Sequence, residues 1–585
     1  TQTLQIILKN FMYRRHALVI SNRMHDISVI SNVPSIKVVI TMWQLATILV
    51  IIYSALVVSK LETRIDPLVE TKLGLVRGLR SENGEYSKFL GIPYALVDEG
   101  NPFSVTIAFP PFDDTFNAYD GSIMCPQVTM QSDIMGEIQC LKLNIYVPNQ
   151  AYFTNQLPVM VYIHGGAFIE GSGTNIIGTP NYLLEKDVIV VSINYRLGIY
   201  GFMCTDSPKA PGNVGLKDQA LALRWINENI GSFGGDNTKI TIFGESAGAM
   251  SVHLHLLFDK EKLFNQAIIQ SGPATSPWTI EDTNDNVPLN IANILGFNTD
   301  DLDDAIDFIA KIPVELAVAA GDQLKKKSQY STEPVTKVCV EKEFEGVKRF
   351  VTVNPNAANT EKANAIPVII GYASQEMIFQ HAGKNGNFYS NYSIMDLLEF
   401  GFDVTDFDDM ADLIRHFYIG DETPAEELQN EITSFASDFV FNHPTQRAMN
   451  SLLESGNKAV YHYIFSYVGE RSAVQLSNTS LVGASHADDI SYLFETPSVP
   501  DEITAQDQLM IDRITTLWTN FAKYGNPTPE TSSLLPVKWE PISDAIVPYL
   551  DINEELTLQF RPFHDRMAFW DLFYKLNKSK TKWSK

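Results

Sequence analysis

The run Gly244-Glu-Ser-Ala-Gly248 stands between an apolar stretch, Lys239-Ile-Thr-Ile-Phe243, and a helical one that begins Ser246-Ala-Gly-Ala-Met-Ser-Val-His253. A strand, a sharp turn and a helix with a serine at the tip form a nucleophile elbow. Glycines flank the serine because the turn is strained and packed against its neighbours, so a larger side chain at Gly244 or Gly248 would clash. The hydroxyl then projects above a sheet, and the helix N-terminus favours developing negative charge. Ser246 is therefore the candidate nucleophile of an acyl transfer.

A serine hydroxyl needs a base, and the base needs a partner that orients it. In an elbow of this kind the chain order is serine, then Asp or Glu, then histidine. Of eleven histidines, His462 sits in an alternating strand pattern, Tyr461-His-Tyr-Ile-Phe465, which suits a structural role. His253 and His255 follow the elbow on its own helix and point away from the tip. His486, in Gly483-Ala-Ser-His-Ala-Asp-Asp489, lies in a loop beyond the strand at 459–465 and is the candidate base, against the plainer reading of a solvated loop histidine. The acid is harder to single out among 69 Asp and Glu residues. Glu376 follows Ile366-Pro-Val-Ile-Ile370, read as a buried strand ending at Gly371, on the edge where the loops of a parallel sheet gather. A surface carboxylate is the competing reading there, while Asp488 and Asp489 lie too close to His486 in sequence to be its partners and read as structural.

The tetrahedral oxyanion needs backbone N–H donors. His164-Gly-Gly-Ala-Phe168 follows the strand Val159-Met-Val-Tyr-Ile163, and its small residues let the backbone approach a substrate carbonyl. Such a loop and the N–H of the residue after the serine make the oxyanion hole of this arrangement. A phosphate loop is excluded because no GxxxxGK[ST] pattern follows.

The elements that must position these groups alternate apolar strands with helical runs such as 218–229 and 506–523, as a doubly wound sheet requires. No repeat or Pro/Ser-rich linker divides the chain, and one site is interleaved from Gly165 to His486. These features predict an α/β-hydrolase fold, a large central and mostly parallel sheet flanked by helices, in a single domain over 65–575.

At this point the sequence resembles the carboxylesterase/cholinesterase family (type-B carboxylesterases), and insect esterases in particular. The resemblance runs from about Val69 to Asp571. It is carried by Phe89-Leu-Gly-Ile-Pro-Tyr-Ala95, Cys140-Leu-Lys-Leu-Asn-Ile-Tyr146, His164-Gly-Gly-Ala-Phe168, Asn194-Tyr-Arg-Leu-Gly198, Gly212-Asn-Val-Gly-Leu-Lys-Asp-Gln219, Phe233-Gly-Gly-Asp236 and Phe243-Gly-Glu-Ser-Ala-Gly248. The resemblance implies a glutamate acid in Gly371-Tyr-Ala-Ser-Gln-Glu376 and a base at His486. The separations of 130 residues from Ser246 to Glu376 and 110 on to His486 are similar to the family's layout. It further implies oxyanion donors at Gly166, Ala167 and Ala247, with Gly165 giving the loop its freedom, and a place for Trp278 in the acyl pocket. Glu245, beside the serine, would tune the local electrostatics or form a surface ion pair.

The chain departs from the family pattern at three places. Ala167 replaces a commoner third glycine, Met377 stands where a glycine usually follows the acid, and Ile138-Gln139 replace an acidic pair before Cys140. Pro126 to Gln139 contain no aromatic residue, whereas cholinesterases place there the tryptophan that binds quaternary ammonium. Juvenile hormone esterases usually carry Gln at the position of Glu245. Cys125 and Cys140 occupy the family's first disulfide, while Cys204 and Cys339 lack matching partners and are expected to be free, buried thiols.

Residues 38–59 are almost wholly apolar. Met42 to Ser59 reads as a secretory signal peptide, with a signal anchor as the alternative, 1–41 as leader sequence and 576–585 as a polar tail. Sequons at Asn391, Asn478 and Asn577 are glycosylation candidates in a secreted protein. A net charge of −25 disfavours nucleic acid and anionic membranes as partners. The scattered His and Cys lack zinc spacing, so neither metal nor cofactor is implied. The expectation is a secreted serine carboxylesterase acting on small-molecule esters, such as xenobiotic, odorant, pheromone or dietary ones. The alternatives are a juvenile-hormone-type esterase, a slow-turnover scavenger, and a non-catalytic adhesion member of the fold.

Overall fold

The computed structural model describes residues 66–584 apart from 130, 131, 153, 174–177, 325, 328–331, 334, 359, 360, 404–407, 478, 498 and 501. The apolar run at 42–59 and the sequon Asn478 lie outside the described residues.

Eleven strands form the main sheet: β1 (Leu79–Arg80), β2 (Tyr86–Pro93), β3 (Lys142–Pro148), β4 (Leu157–Ile163), β5 (Ile189–Ile193), β6 (Gly235–Glu245), β7 (Gln266–Gln270), β8 (Val368–Ala373), β9 (Val460–Phe465), β10 (Pro548–Ile552) and β11 (Thr557–Phe560). Their order is β11-β10-β9-β8-β7-β6-β4-β5-β3-β2-β1. The seven strands from β10 to β5 pair in parallel, and antiparallel strands close both edges. The mostly parallel sheet is thus the expected one. Every residue of β4, β5, β7, β8 and β9 is buried, as strands covered on both faces must be.

The helices that matter to the site are α1 (Val214–Asn229), α2 (Ala247–Phe258), α3 (Gln429–Ser437), α4 (His443–Glu454), α5 (Ala505–Tyr524) and α6 (His564–Leu576). Alternation along β4 sends Val159, Val161 and Ile163 into one core with Leu223 of α1 and Leu254 of α2. Met160 and Tyr162 enter the opposite core with Leu517, Trp518 and Phe521 of α5. The sheet is therefore sandwiched, and its parallel strands all point their C-terminal ends toward one rim.

Motifs away from the rim prove to be braces. The guanidinium of Arg196 is fully buried and donates from Nε and Nη2 to both oxygens of Asp218 at 2.7 and 2.8 Å, and from Nη1 to the carbonyls of Pro102 and Ser104. A buried guanidinium with this many partners escapes the penalty of an unpaired charge. Gln139, which stands where an acidic residue was expected, instead clasps Val97, accepting from its N–H and donating to its carbonyl.

Three sequence expectations are corrected here. Cys204 and Cys339 are bonded to each other, so together with Cys125–Cys140 the chain has two disulfides and no free cysteine. The strand before Glu376 runs on to Ala373 instead of stopping at Gly371. Residues 576–584 pack onto the domain: Trp583 stacks on Tyr574, and the N–H of Asp403 bonds the carbonyl of Lys580. Asn577 among them is buried and donates its amide to the carbonyl of Phe573, which withdraws it as a glycosylation site, whereas Asn391 is exposed.

Candidate active site

Ser246 connects the end of β6 to the start of α2 with φ 58° and ψ −127°. A non-glycine residue in this region is strained by about 1–3 kcal/mol, a cost borne by the surrounding packing. That packing is backbone against backbone. A Cβ on Gly248 would fall 2.1 Å from the carbonyl oxygen of Ile163, one on Gly244 2.6 Å from the same oxygen, and one on Gly272 2.2 Å from the carbonyl oxygen of Ser246. The Ser246 N–H donates to the carbonyl of Gln270 at the end of β7 (3.0 Å), and its hydroxyl caps nothing on α2.

The loop after β4 runs directly against this turn. A Cβ on Gly165 would lie 2.7 Å from the carbonyl oxygen of Glu245 and 3.2 Å from Ser246 Cβ. Gly166 has φ +102°, and a Cβ there would meet the Glu170 carbonyl at 2.2 Å; Ala167 follows with φ 52°. Ala247 is the first residue of α2, where a backbone N–H has no partner within its helix. Among the described residues no backbone carbonyl takes the N–H of Gly166, Ala167 or Ala247. His164, at the head of this loop, is buried against Tyr195 with Nδ1 at 2.8 Å from the Gly165 carbonyl, and burial pushes its pKa down to about 4.

Glu376 lies three residues beyond β8 and is fully buried. Its Oε1 accepts from the N–H of Ala373 at 2.7 Å and its Oε2 lies 2.6 Å from Nδ1 of His486. The His486 backbone N–H also donates to the Glu376 carbonyl. The other ring nitrogen, Nε2, is 2.9 Å from Oε1 of Glu245, an ion-pair distance without the alignment of a hydrogen bond. Glu245 is thus a buried neighbour of the imidazole and not a surface ion pair. Burial disfavours the imidazolium, but the charges of Glu245 and Glu376 outweigh it and hold the pKa of His486 well above the ordinary histidine range. No hydrogen bond joins the Ser246 hydroxyl to His486 in this structure. Such a contact is commonly loose before substrate binds.

The loop carrying His486 is anchored from beneath. Asp488 accepts from the N–H groups of Ser485 and Ala473, and Asp489 accepts from Gln270 Nε2 at 2.8 Å and the Tyr463 hydroxyl at 2.9 Å. Both are structural, as their closeness to His486 suggested, and burial raises both carboxyl pKa values to about 7. His253, His255 and His462 are likewise buried and bonded away from the serine, to Ala274 N–H, Gln219 and the Ile370 carbonyl respectively.

Sequence reasoning missed three contributors. Gln270 holds the elbow with its carbonyl and the histidine loop with its side chain, so one residue ties the two together. Phe379 and Phe441 lie against the His486 ring with centroids 4.9 and 4.8 Å away. Phe441 comes from a π-helical turn, Asp438–Asn442, inserted between α3 and α4, a feature often found at functional sites. Trp278 meets Phe441 edge to face at 5.9 Å, which puts it one ring away from the histidine. Met377 is accommodated just ahead of this insertion, its N–H donating to Oγ of Ser437, the last residue of α3. A polar residue closing an apolar strand was the available signal for Gln270; nothing local marked Phe441.

A model of the carboxylesterase family matches residues 65–570. The chain is 32% identical over 565 residues to a juvenile hormone esterase of Tribolium castaneum, covering 86% of this chain and 93% of that protein. It is 32% identical over 496 residues to Esterase FE4 of Myzus persicae, covering 81% and 86%. Bile salt-activated lipase of Rattus norvegicus is 31% identical over 546 residues, covering 87% and 86%. No helix among the described residues is long and apolar enough to cross a membrane. The chain belongs to the carboxylesterase family and is a carboxylic ester hydrolase.

Proposed function

We propose that hydrolysis runs through an acyl-enzyme on Ser246, with His486 as base and then acid and Glu376 as its orienting carboxylate. The observation that carries this reading is the 2.6 Å bond from Glu376 to His486 Nδ1, which leaves Nε2 as the nitrogen facing the elbow. In its neutral form that nitrogen takes the Ser246 proton as Oγ attacks the ester carbonyl. The N–H groups of Gly166, Ala167 and Ala247 receive the oxyanion. The imidazolium, stabilised by Glu376, protonates the departing alcohol, and water attacks the acyl-enzyme through the same base.

The rings of Phe379, Phe441 and Trp278 beside the base favour uncharged, apolar ester groups such as those of odorants, pheromones, dietary esters and xenobiotics. The juvenile hormone reading draws on relatives of that name; Glu245 in place of glutamine weighs against it. Secretion is supported by the two disulfides, which persist in oxidising compartments. The test is hydrolysis of p-nitrophenyl esters of increasing acyl length alongside labelling by a fluorophosphonate. Turnover with label on the Ser246 peptide is expected. Label without turnover means a scavenger, and the absence of both would overturn the catalytic reading in favour of an adhesion role.

A further inference from the structure

Behind the elbow, at the far end of α2, the surface opens into a cleft of about 1160 Å³. It is bounded by α1, by the turn at 259–262 that follows α2, by the segment 348–353, and by Ala358, Lys362, Ala365 and Ile366. Its lining inverts the charge of the molecule: seven of the lining residues are Lys or Arg and two are acidic, in a chain of net charge −25. Among them run apolar side chains, including Leu221, Leu257, Phe258 and Phe350, with Val105 and Val353 at 41% and 43% exposure.

Most of these cations are already matched. Arg224 forms a two-pronged pair with Glu261, Lys217 pairs with Glu341, and Arg349 with Glu343. Lys260 and Lys262 are exposed and have no acidic partner among the described residues. The turn that carries them is rigidly held: Lys362 Nζ donates to the carbonyls of Asp259 and Glu261 at 2.9 and 2.8 Å while lying over the Phe264 ring. A helix C-terminus would ordinarily repel an anion. Here the ammonium of Lys362 also reaches the carbonyl of His255 in the last turn of α2 at 3.5 Å, and its positive charge opposes that field.

We infer that this cleft binds a single-chain amphipathic carboxylate from solution, its headgroup on Lys260 and Lys262 and its tail along the apolar lining. The volume is ample for such a ligand, since small-molecule sites occupy about 300–1,000 Å³. The site is separate from the serine: α2 has twelve residues, which spans roughly 18 Å between its two ends.

The experiment is titration calorimetry of the whole protein with dodecanoate below its micelle concentration, with dodecyltrimethylammonium as the cationic control. Saturable dodecanoate binding is expected, weakened at least tenfold in the double variant Lys260→Glu/Lys262→Glu and weakened by added salt. Hydrolysis of p-nitrophenyl acetate by the variant should be unchanged, which shows that it has folded. Absent binding, binding that survives the double substitution, or equal binding of the ammonium amphiphile would each overturn the assignment. Survival would place the carboxylate elsewhere, as in the ester site itself.

Discussion

Oε1 of Glu245 lies 2.9 Å from Nε2 of His486, on the opposite side of the ring from the 2.6 Å contact with Glu376. The imidazole is thus held between two buried carboxylates, and its pKa is raised because both favour the charged ring. A general base must be neutral, so activity should fall as pH drops through this raised value. Removing one carboxylate by Glu245→Gln lowers the pKa, so the acid limb of the kcat/KM profile should move to lower pH. The same shift has a stability consequence of defined sign. The contribution of the protonated ring is complete below the unfolded histidine pKa and is lost as pH rises through the folded one. An acid limb unmoved by Glu245→Gln would show that the two groups are not coupled.

Glu376→Gln tests the other carboxylate, and the outcome follows from which atom faces what. Oε1 of Glu376 accepts from the Ala373 N–H, so the glutamine oxygen is retained there and its NH₂ turns to His486. The Nδ1 atom must then accept, which moves the ring proton to Nε2 and removes the lone pair that Ser246 needs. The expected fall in kcat is about 10⁴-fold with little change in fold. Ser246→Ala should cost a similar factor or more. Esterase assays on both variants, with circular dichroism as the check on folding, decide the matter. A loss under tenfold in either would remove that residue from the mechanism.

How much of this site could be read without coordinates depends on how local each signal is. Ser246 and the Gly165-Gly-Ala loop are bound to glycines whose necessity is written within five residues, and the strand contacts of Gly244 and Gly248 bear out the clash argument. Glu376 and His486 were candidates from their places after buried apolar strands, and it was the family resemblance, not spacing, that singled out Glu376 among the carboxylates. The role of Glu245 was left open since its burial depends on a histidine 241 positions away in the chain. Phe441 was invisible for a different reason: its ring reaches His486 only through a π-helical turn, which shifts residues off the α-helical period. Pairing of Cys204 with Cys339 carries no periodic or spacing signal at all. It depends on two loops meeting in space.

Gly248→Ala should be among the most damaging conservative changes in the molecule. The new methyl would sit 2.1 Å from the Ile163 carbonyl oxygen and 2.9 Å from the carbonyl carbon of His164, and both are backbone atoms that no rotamer change can clear. Either α2 lifts from β4 or the elbow distorts, at a cost of about 1–3 kcal/mol or more. Gly231→Ala is the control, since its nearest neighbour would be the flexible Gln156 amide at 3.7 Å. Urea midpoints should fall for the first and hold for the second. Equal midpoints would mean that the elbow tolerates a Cβ.

The two disulfides differ ninefold in the length of chain they enclose, 15 residues for Cys125–Cys140 and 135 for Cys204–Cys339. If restriction of the unfolded chain dominates, the loop-closure relation assigns about 3 kcal/mol to the short bridge and about 5 kcal/mol to the long one. Cys204→Ala/Cys339→Ala should therefore destabilise the protein more than Cys125→Ala/Cys140→Ala. Packing works in the same direction. Gly212 is held against both sulfurs of the long bridge, so their loss also leaves a void there. Inactivation half-lives at one elevated temperature suit a large disulfide-bonded chain better than an equilibrium midpoint. The long-bridge variant should inactivate first. The reverse order would show that the short loop's native packing around Gly136 and Gln127, and not chain entropy, sets the contribution of these bridges.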